Sequence, residues 1–440
     1  GQIRAALVCH LKVAADGTLK SWRFTRAKIC VSANIAYEDA QAAMDKLLPL
    51  AGEVARSAGK GASEQLFPLT GEVARSAGKG ASEQPESPPP SALLTPPPVG
   101  DELARRALQP LWDCWRALFA ARKKRDPLEL DLPERRVVLD ETGRIVSIAV
   151  RDRLDAHRLI EDFMIAANVA AAKALEAKKS PVMYRVHEVP GREKLVALRD
   201  YLATFGVNFA LGQVVTPATF NRLLALVADA EHRTQVMEQV LRTQTQAYYA
   251  PANMGHFGLA LGSYAHFTSP IRRYADVLVH RALVRGFGLG EGGLTDDEAD
   301  GMARIGEAIS AAERRAMEAE RETVDRYVAA FLSTRVGEVL DTRITGVANF
   351  GFFATVEGIG GDGLVPVSTL GDDYYRFDEA ARTLEGDATG TRYAAGMTLQ
   401  LRLAEAHPIS GALRFELPDI SPRARPAIHL HGKRRHRRPR

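Results

Sequence analysis

The sequence predicts an α+β protein, in which a part that mixes helices with a mixed sheet precedes an all-β barrel. Two observations lead to this class. Apolar residues recur at helical spacing through most of residues 101–333, whereas from Arg335 onward they alternate in short runs separated by glycines. With 440 residues, 46% of them hydrophobic, the chain is long enough for two or three domains.

The first segment, residues 1–48, has the pattern of a hairpin followed by a helix. The runs ALVCHLKV and LKSWRFTRAKICV flank the turn Ala15-Asp16-Gly17-Thr18, whose composition is typical of a β-hairpin. We therefore predict a hairpin over residues 3–31 and a helix over about 37–47.

Residues 49–100 interrupt this pattern. PLAGEVARSAGKGASEQ is followed, with a period of 19, by PLTGEVARSAGKGASEQ, and a proline-rich stretch comes next. Two copies are too few for a stacked repeat fold, and the composition buries too little apolar surface to offset the entropy of ordering. We expect a disordered insertion, with protein binding by the proline stretch as the alternative.

Helical spacing returns at Asp101. Pro110 predicts a kink in the helix that begins near Asp101, and Trp112 and Trp115 are expected in the core. A second hairpin is predicted over residues 136–150. Further helices are predicted at residues 154–179, 192–204, 216–229, 232–248, 269–285 and 296–333.

The last two segments differ sharply from each other. Residues 335–420 predict short strands, closed by strands at 398–405 and 411–416. Residues 421–440 end in KRRHRRPR, where Lys433, Arg434 and Arg435 lie among six lysines and arginines. Such a block is typical of a tether to polyanions, and a solvated tail is the alternative.

The passage HFTSPIRRYADVLVHR, residues 266–281, predicts an anion site. Ser269 suits the N-cap of a helix and Pro270 its first position, so Arg272 and Arg273 would fall in the first turn. Arginine is unfavourable there unless an anion arrives, and a guanidinium binds phosphate through two hydrogen bonds. The alternative is a surface helix in which Arg272 pairs with Asp276.

Composition excludes several classes of protein. Cys9, Cys30 and Cys114 are scattered, without the spacing of a disulfide framework or a metal site. No apolar run approaches the roughly 20 residues of a membrane span, and no signal peptide opens the chain. A cytoplasmic protein without membrane contact is expected.

A longer motif surrounds this passage. GHFGLALGSYAHFTSPIRRYADVLVHRAL resembles the signature of the ribonuclease II/ribonuclease R (RNB) family of exoribonucleases. RLIEDFMIAANVAAAKAL, YRVHEVPGREKL, DLPERRVVLDETGR and AERRAMEAERETVDRY also resemble family segments, in family order. Residues 335–420 resemble an S1-type OB-fold domain in the form found in ribonuclease R. The resemblance implies a partial RNB catalytic domain, residues 1–48 and 101–333, followed by that barrel.

The resemblance also implies an activity. The family hydrolyses RNA from the 3′ end to nucleoside 5′-monophosphates, processively and with Mg²⁺. The expected partner is single-stranded RNA or RNA with a 3′ overhang, bound by a monomer. An RNA-binding fragment without catalysis is the alternative, and a translation-related S1 module is the third hypothesis, which residues 101–333 disfavour.

Residue roles follow from the same resemblance. Arg272 matches the arginine at the scissile phosphate, Arg273 would support backbone binding or pair with a carboxylate, and Glu320 matches an acidic position near the RNA 3′ end. Tyr184 is expected to contact the terminal nucleotide of the RNA. In the barrel, Phe350, Phe353 and Tyr375 are expected to stack on bases, and Phe352 is expected to point inward. For each aromatic residue, core packing is the alternative. Pro366 departs from the family, which commonly has a histidine there.

The metal ligands are the main departure. The family holds its metal with aspartates that precede the segment resembling residues 3–44, so we expect them upstream of Gly1 and regard the chain as truncated. Asp296, Asp297, Asp300, Asp372 and Asp373 are expected in loops outside the site. His187 and His256 are expected as buried, hydrogen-bonded histidines rather than ligands.

Overall fold

The computed structural model of the protein describes residues 2–47, 100–130, 135–141, 145–150, 153–230, 232–379 and 381–418. The predicted insertion, except Gly100, and the predicted basic tail with Lys433, Arg434 and Arg435 lie outside these residues. The described residues form two compact units. The first comprises those up to Lys124 with Arg153–Ala174 and Leu283–Gly293, and the second comprises those of Arg125–Asp152, Leu175–Ala282 and Leu294–Arg440.

The first unit begins with the predicted hairpin and helix. Its strands and helices are β1 (Ile3–Val13), β2 (Leu19–Cys30), α1 (Tyr37–Leu47), α2, and most of α3 (Asp155–Ala177). Helix α2 consists of Asp101–Leu103, a π-helical segment Ala104–Leu108, and Gln109–Arg125. The π-helical segment ends at Leu108, two residues before Pro110, the residue at which the sequence predicts a kink. Proline lacks the N–H that would continue the α-helical ladder and its ring clashes with the preceding turn.

Aromatic residues of α2 fill the core of this unit. Trp112 and Trp115 are buried against apolar residues of α1 and α3, as predicted. The indole N–H of Trp115 donates to Asp162 Oδ2 at 2.9 Å, and Arg122 pairs with Asp162 Oδ1, also at 2.9 Å. At the hairpin turn, a Cβ on Gly17 would lie 2.1 Å from the Ala117 carbonyl oxygen. Only glycine therefore permits this approach of the turn to α2.

The second unit contains a helical part and a barrel. The elements of its helical part are β3 (Arg135–Leu139), β4 (Ile145–Val150), β5 (Tyr184–Val186), α4 (Arg192–Ala203), α5 (Pro217–Leu226), α6 (Arg233–Thr243), β6 (Tyr248–Ala250), α7 (Tyr274–Gly286, whose end belongs to the first unit), α8 (Asp296–Asp300) and α9 (Met302–Ser333). Antiparallel pairs form between β3 and β4 and between β5 and β6. Helices α4, α5 and α6 bury Leu198, Phe220 and Val240 in one apolar cluster.

The barrel follows α9 as predicted. Its strands are β7 (Val339–Ala348), β8 (Gly351–Val356), β9 (Gly360–Pro366), β13 (Thr398–His407) and β14 (Ala412–Glu416), closed in the order β13-β14-β9-β8-β7. A small sheet of β10 (Tyr375–Asp378), β11 (Thr383–Gly386) and β12 (Arg392–Ala394) is inserted before β13. This closed five-stranded barrel fits an OB-like fold.

Helix α9 connects the helical part to the barrel within the second unit. Its last turns contribute Val328, Ala329 and Leu332 to the barrel core. Near its start, a Cβ on Gly306 would lie 2.6 Å from the Tyr249 carbonyl oxygen, so α9 packs closely on β6. Among the described helices, none is both long and apolar enough to cross a membrane.

Candidate functional site

The two adjacent arginines lie in a turn rather than in the predicted first turn of a helix. Helix α7 begins at Tyr274, so the prediction of Ser269 as N-cap is wrong. The amides of Arg272 and Arg273 both donate to the Ser269 carbonyl, at 3.3 and 3.1 Å. The Ser269 amide in turn donates to Asp276 Oδ1 at 2.7 Å. Asp276 lies in the first turn of α7, where the helix dipole favours a carboxylate, and it fixes the turn from within the helix.

Asp276 also decides which arginine is paired. Nε of Arg273 donates to Oδ2 at 2.8 Å and a terminal nitrogen donates to Oδ1 at 2.9 Å, while Asp276 itself is completely buried. The alternative pairing of Arg272 with Asp276 is therefore wrong, and the expected carboxylate partner of Arg273 is found. Burial by itself would lower the pKa of Arg273, but the hydrogen bonds and charge of Asp276 raise it.

Arg272 is exposed. Among the described residues, no carboxylate forms an ion pair with it. The preceding residue, Ile271, is fully exposed as well. The turn therefore presents a free guanidinium on a backbone held by Asp276, which is the arrangement that a phosphate ligand requires.

A buried polar chain supports the start of this turn. His266 Nδ1 lies 2.9 Å from the Tyr249 hydroxyl, and the Arg185 guanidinium stacks 4.6 Å from the Tyr249 ring centre. Arg185 pairs with Glu313 of α9 at 2.5 Å, and the Tyr249 amide donates to Ser310 Oγ at 2.9 Å. The site is thereby connected to α9, which leads to the barrel.

The electrostatics of this chain fix its protonation. Burial, with Arg273 and Arg185 nearby, lowers the pKa of His266 to about 2. Burial raises the pKa of the Tyr249 hydroxyl to about 12. At neutral pH the imidazole is therefore uncharged and the hydroxyl keeps its proton, and one hydrogen bond joins the two groups.

His187 and His256 are hydrogen-bonded within the fold, as expected. The Gly258 amide donates to His187 Nδ1 at 2.9 Å, and the Leu259 amide donates to His256 Nδ1 at 3.2 Å. Burial and the neighbouring His187 lower the pKa of His256 to about 3. These contacts make both residues structural parts of the loop that precedes the signature turn.

Glu320 and Tyr184 occupy different surroundings from the arginines. Glu320 lies on an exposed stretch of α9 and has no ion-pair partner among the described residues. Tyr184 is buried in β5 and its hydroxyl donates to Glu176 Oε1 at 3.0 Å. Burial raises the pKa of that hydroxyl. The polar end of Tyr184 is thus already engaged, whereas Glu320 is open to a ligand.

The barrel aromatics fall into two groups. Phe350 and Phe353 are 52% and 37% exposed and meet edge to face with ring centres 6.1 Å apart, while Phe352 is completely buried as expected. Tyr375 packs against the barrel core and its hydroxyl donates to the Leu370 carbonyl at 3.3 Å. Of the three predicted stacking residues, Phe350 and Phe353 are the more exposed.

A metal site is not formed by the part of the chain that the structure describes. No group of three carboxylates, histidines or cysteines is close enough there to hold an ion. Asp296, Asp297 and Asp300 lie in helix α8, so the prediction of a loop is wrong for them; Thr295 and Glu298 cap that helix reciprocally. Asp372 and Asp373 lie in a loop as predicted, and Asp373 accepts hydrogen bonds from Thr389.

Three supporting residues escaped the sequence reasoning. The sequence pattern favours Arg272, four residues before Asp276, as its partner. Arg273, three residues before Asp276, is equally well spaced for an ion pair. Tyr249 and Arg185 carried no local signal, because the bonds that join them to the turn span many residues of sequence.

Comparison with known proteins identifies the family. A model of the RNB domain matches residues 1–287. The chain belongs to the RNB family. Ribonuclease R of Escherichia coli strain K12 is 36% identical over 318 residues, which cover 70% of this chain and 39% of that protein. Ribonuclease R of Aquifex aeolicus is 38% identical over 309 residues, covering 69% and 43%. This RNB chain thus spans about two fifths of the length of these relatives.

Solved structures show the RNB fold again. Mycoplasma genitalium RNase R in complex with ribose methylated single-stranded RNA matches with a TM-score of 0.77 at 24% identity, over 94% of this chain and 58% of that chain. Yeast Ssd1, a pseudonuclease, matches with a TM-score of 0.57 at 19% identity, over 88% and 42%. The RNB family implies a divalent metal cation, and the described residues of this chain do not supply a site that fits one.

Proposed function

We propose that this chain is a 3′→5′ exoribonuclease of the ribonuclease R type, which degrades RNA processively to nucleoside 5′-monophosphates. The observation that carries the proposal is the free guanidinium of Arg272, on a turn fixed by the Asp276–Arg273 pair. Support comes from the RNB family match and from relatives named Ribonuclease R. Mg²⁺ is the proposed metal ion, although the described residues form no site for it.

In this proposal Arg272 holds the scissile phosphate. Negative charge on the phosphoryl oxygens redistributes as water attacks phosphorus, and a cation already in position offsets it without reorganisation. Arg273 keeps the turn in place through Asp276. Glu320 is proposed near the RNA 3′ end and Tyr184 near the terminal nucleotide. Because phosphate is common to all nucleotides, little sequence preference is expected.

The barrel is proposed as an S1-type domain that gathers single strands. Phe350 and Phe353 offer exposed ring faces to bases, each worth ~1–3 kcal/mol by truncation. Tyr375 contributes chiefly by supporting the barrel core. Lys433, Arg434 and Arg435 are proposed to bind the RNA backbone. Single-stranded RNA, or RNA with a 3′ overhang, is the proposed partner of a monomeric cytoplasmic protein.

The second candidate function is RNA binding without hydrolysis. One observation favours it: the described residues contain no cluster of carboxylates, histidines or cysteines that could hold a metal ion. The fold itself is compatible with it, since yeast Ssd1, a pseudonuclease, has a similar fold.

One experiment separates the two candidates. The chain is incubated with Mg²⁺ and an RNA with a 3′ overhang, and both shortening and binding are measured. Shortening of the RNA supports the exoribonuclease. Salt-sensitive binding without shortening establishes the second candidate for this chain.

The role of Arg272 is tested by Arg272→Lys, with Arg222→Lys, an exposed arginine of α5, as control. A lysine keeps the charge but loses the paired hydrogen bonds. We expect kcat to fall on the order of 10²-fold with binding changed little, and the control to retain full activity. Equal losses of kcat and binding would reduce Arg272 to an RNA-holding residue.

A further inference from the structure

The strands of the hairpin in the first unit carry charges of one sign, and Arg26 and Lys28 lie on the opposite face from Arg4, Lys12 and Arg23. Strands β1 and β2 carry six lysines and arginines and no aspartate or glutamate. The Arg272 turn belongs to the second unit.

Pairing register places three of the cations on one face. Arg4 is opposite Ile29, Lys12 is opposite Ser21, and Arg23 is opposite His10. Residues directly opposite share a face and successive residues alternate, so Arg4, Lys12 and Arg23 all project to the same side. All three are exposed, whereas Phe24, on the other face, is buried. We call this outward side, defined by Arg4, Lys12 and Arg23, the basic hairpin face.

The cations of the basic hairpin face have no carboxylate partner among the described residues. The barrel strands differ, because their arginines are paired with acids: Arg343–Glu357, Arg402–Glu416 and Arg414–Glu405. Arg23, opposite His10, is a diagonal neighbour of Lys12, so these two like charges are close enough to repel each other. A polyanion would relieve that repulsion, since each bound phosphate neutralises one side chain.

We propose that the basic hairpin face binds the phosphodiester backbone of single-stranded RNA, as a contact additional to the Arg272 turn. This inference rests on the proposed function for its ligand. From Arg4 to Lys12 the ribbon extends about 27 Å, at about 3.4 Å per residue, which is enough for several nucleotides. The other use of exposed cations on a hairpin is to prevent edge-to-edge aggregation, and it needs no ligand.

The test is the salt dependence of RNA binding. The affinity of the chain for a labelled single-stranded RNA is measured between 50 and 200 mM KCl, for the wild type and for Arg4→Gln/Lys12→Gln/Arg23→Gln. Each phosphate contact with a single strand contributes about 0.7 to the slope of log K against log salt, so the slope should fall by about 2. Over this fourfold salt range, the wild type should lose on the order of 20-fold more affinity than the variant.

Two matched variants control for charge and folding. Arg106→Gln/Arg116→Gln/Arg158→Gln removes three arginines of the same unit that are paired with carboxylates, and the wild-type slope is expected. Arg4→Lys/Lys12→Arg/Arg23→Lys retains the charges and should also keep that slope. Circular dichroism and thermal melting establish that the glutamine variant is folded.

The outcomes distinguish this inference from the proposed function. A folded glutamine variant with an unchanged slope overturns the basic hairpin face as an RNA contact, even if Arg272→Lys still lowers turnover. An equal fall in slope for the Arg106/Arg116/Arg158 variant also overturns it, because the effect would then follow net charge alone. A wild-type chain that binds no RNA refutes both proposals.

Discussion

At the residue scale, Asp276 makes three hydrogen bonds from a fully buried position, one from the Ser269 amide and two from Arg273. A buried carboxylate is stable only when its charge is compensated, and Arg273 provides that compensation. The same bonds leave Arg272 as the free cation of the turn. One side chain thus gives two adjacent arginines different tasks.

Asp276→Asn should destabilise the second unit by about 3 kcal/mol, because the partly buried Arg273 loses its counter-charge. The measurement is urea unfolding at neutral pH. Asp155→Asn is the control, since Asp155 forms a largely exposed pair with Arg158 that is worth at most about 1 kcal/mol. Similar losses in the two variants would contradict the role given to Asp276.

At the element scale, the barrel depends on close backbone approaches that only glycine allows. Gly351 begins β8 with a φ of +146°, and a Cβ there would lie 2.1 Å from the Val365 carbonyl oxygen. Strand β8 therefore reaches β9 at a distance that no side chain permits. The sequence indicates glycine turns in this region, but the contact that requires this glycine belongs to the closed barrel.

Gly351→Ala should lower the stability of the barrel by about 3 kcal/mol, through overpacking and backbone strain combined. Thermal unfolding followed by near-ultraviolet circular dichroism measures the change. Gly346→Ala on β7 is the matched control, because nothing lies within 4 Å of a Cβ at that position. If both variants melt together, the tight approach at Gly351 is not limiting.

At the scale of the whole molecule, the second unit combines a helical part and a barrel through shared contacts. Arg382, in the turn before β11, donates to Gln239 Oε1 at 2.9 Å and lies over the Tyr201 ring at 5.5 Å. The helical part also contains partly buried histidines, His256 and His266, whose pKa values are lowered by desolvation, so its stability depends on pH.

Unfolding free energy should rise with pH between about pH 3 and pH 6.5. His256 has a pKa of about 3 and His266 a pKa of about 2 when folded, whereas an unfolded histidine titrates near about 6.5. In this window the unfolded chain binds protons that the folded chain does not, so acid favours unfolding. Each histidine contributes up to about 1.4 kcal/mol per pH unit, measured by urea unfolding at several pH values.

His256→Gln isolates this contribution. The slope of stability against pH should decrease by about the share of one histidine, since the variant has no group to protonate there. Parallel curves for wild type and His256→Gln would exclude His256 as a source of acid sensitivity.

Local pattern determined the elements of this protein. The hairpin at residues 3–31, the helices and the inward position of Phe352 follow from the period of the apolar residues and from turn composition, which act over a few neighbouring positions. The sequence predicts the start of α7 too early, because Ser269 and Pro270 are typical of helix starts, whereas in the structure Asp276 binds the Ser269 amide and the helix begins at Tyr274.

Tertiary structure decided the site. The sequence by itself indicated the family and singled out Arg272 and Arg273, since both depend on an unbroken motif. It could not determine which arginine is paired, or that Tyr249 and Arg185 support the turn, because those contacts join residues brought together only by folding. Burial keeps His266 neutral, and the hydrogen bonds and charge of Asp276 hold Arg273. Arg272 therefore remains free for a phosphate.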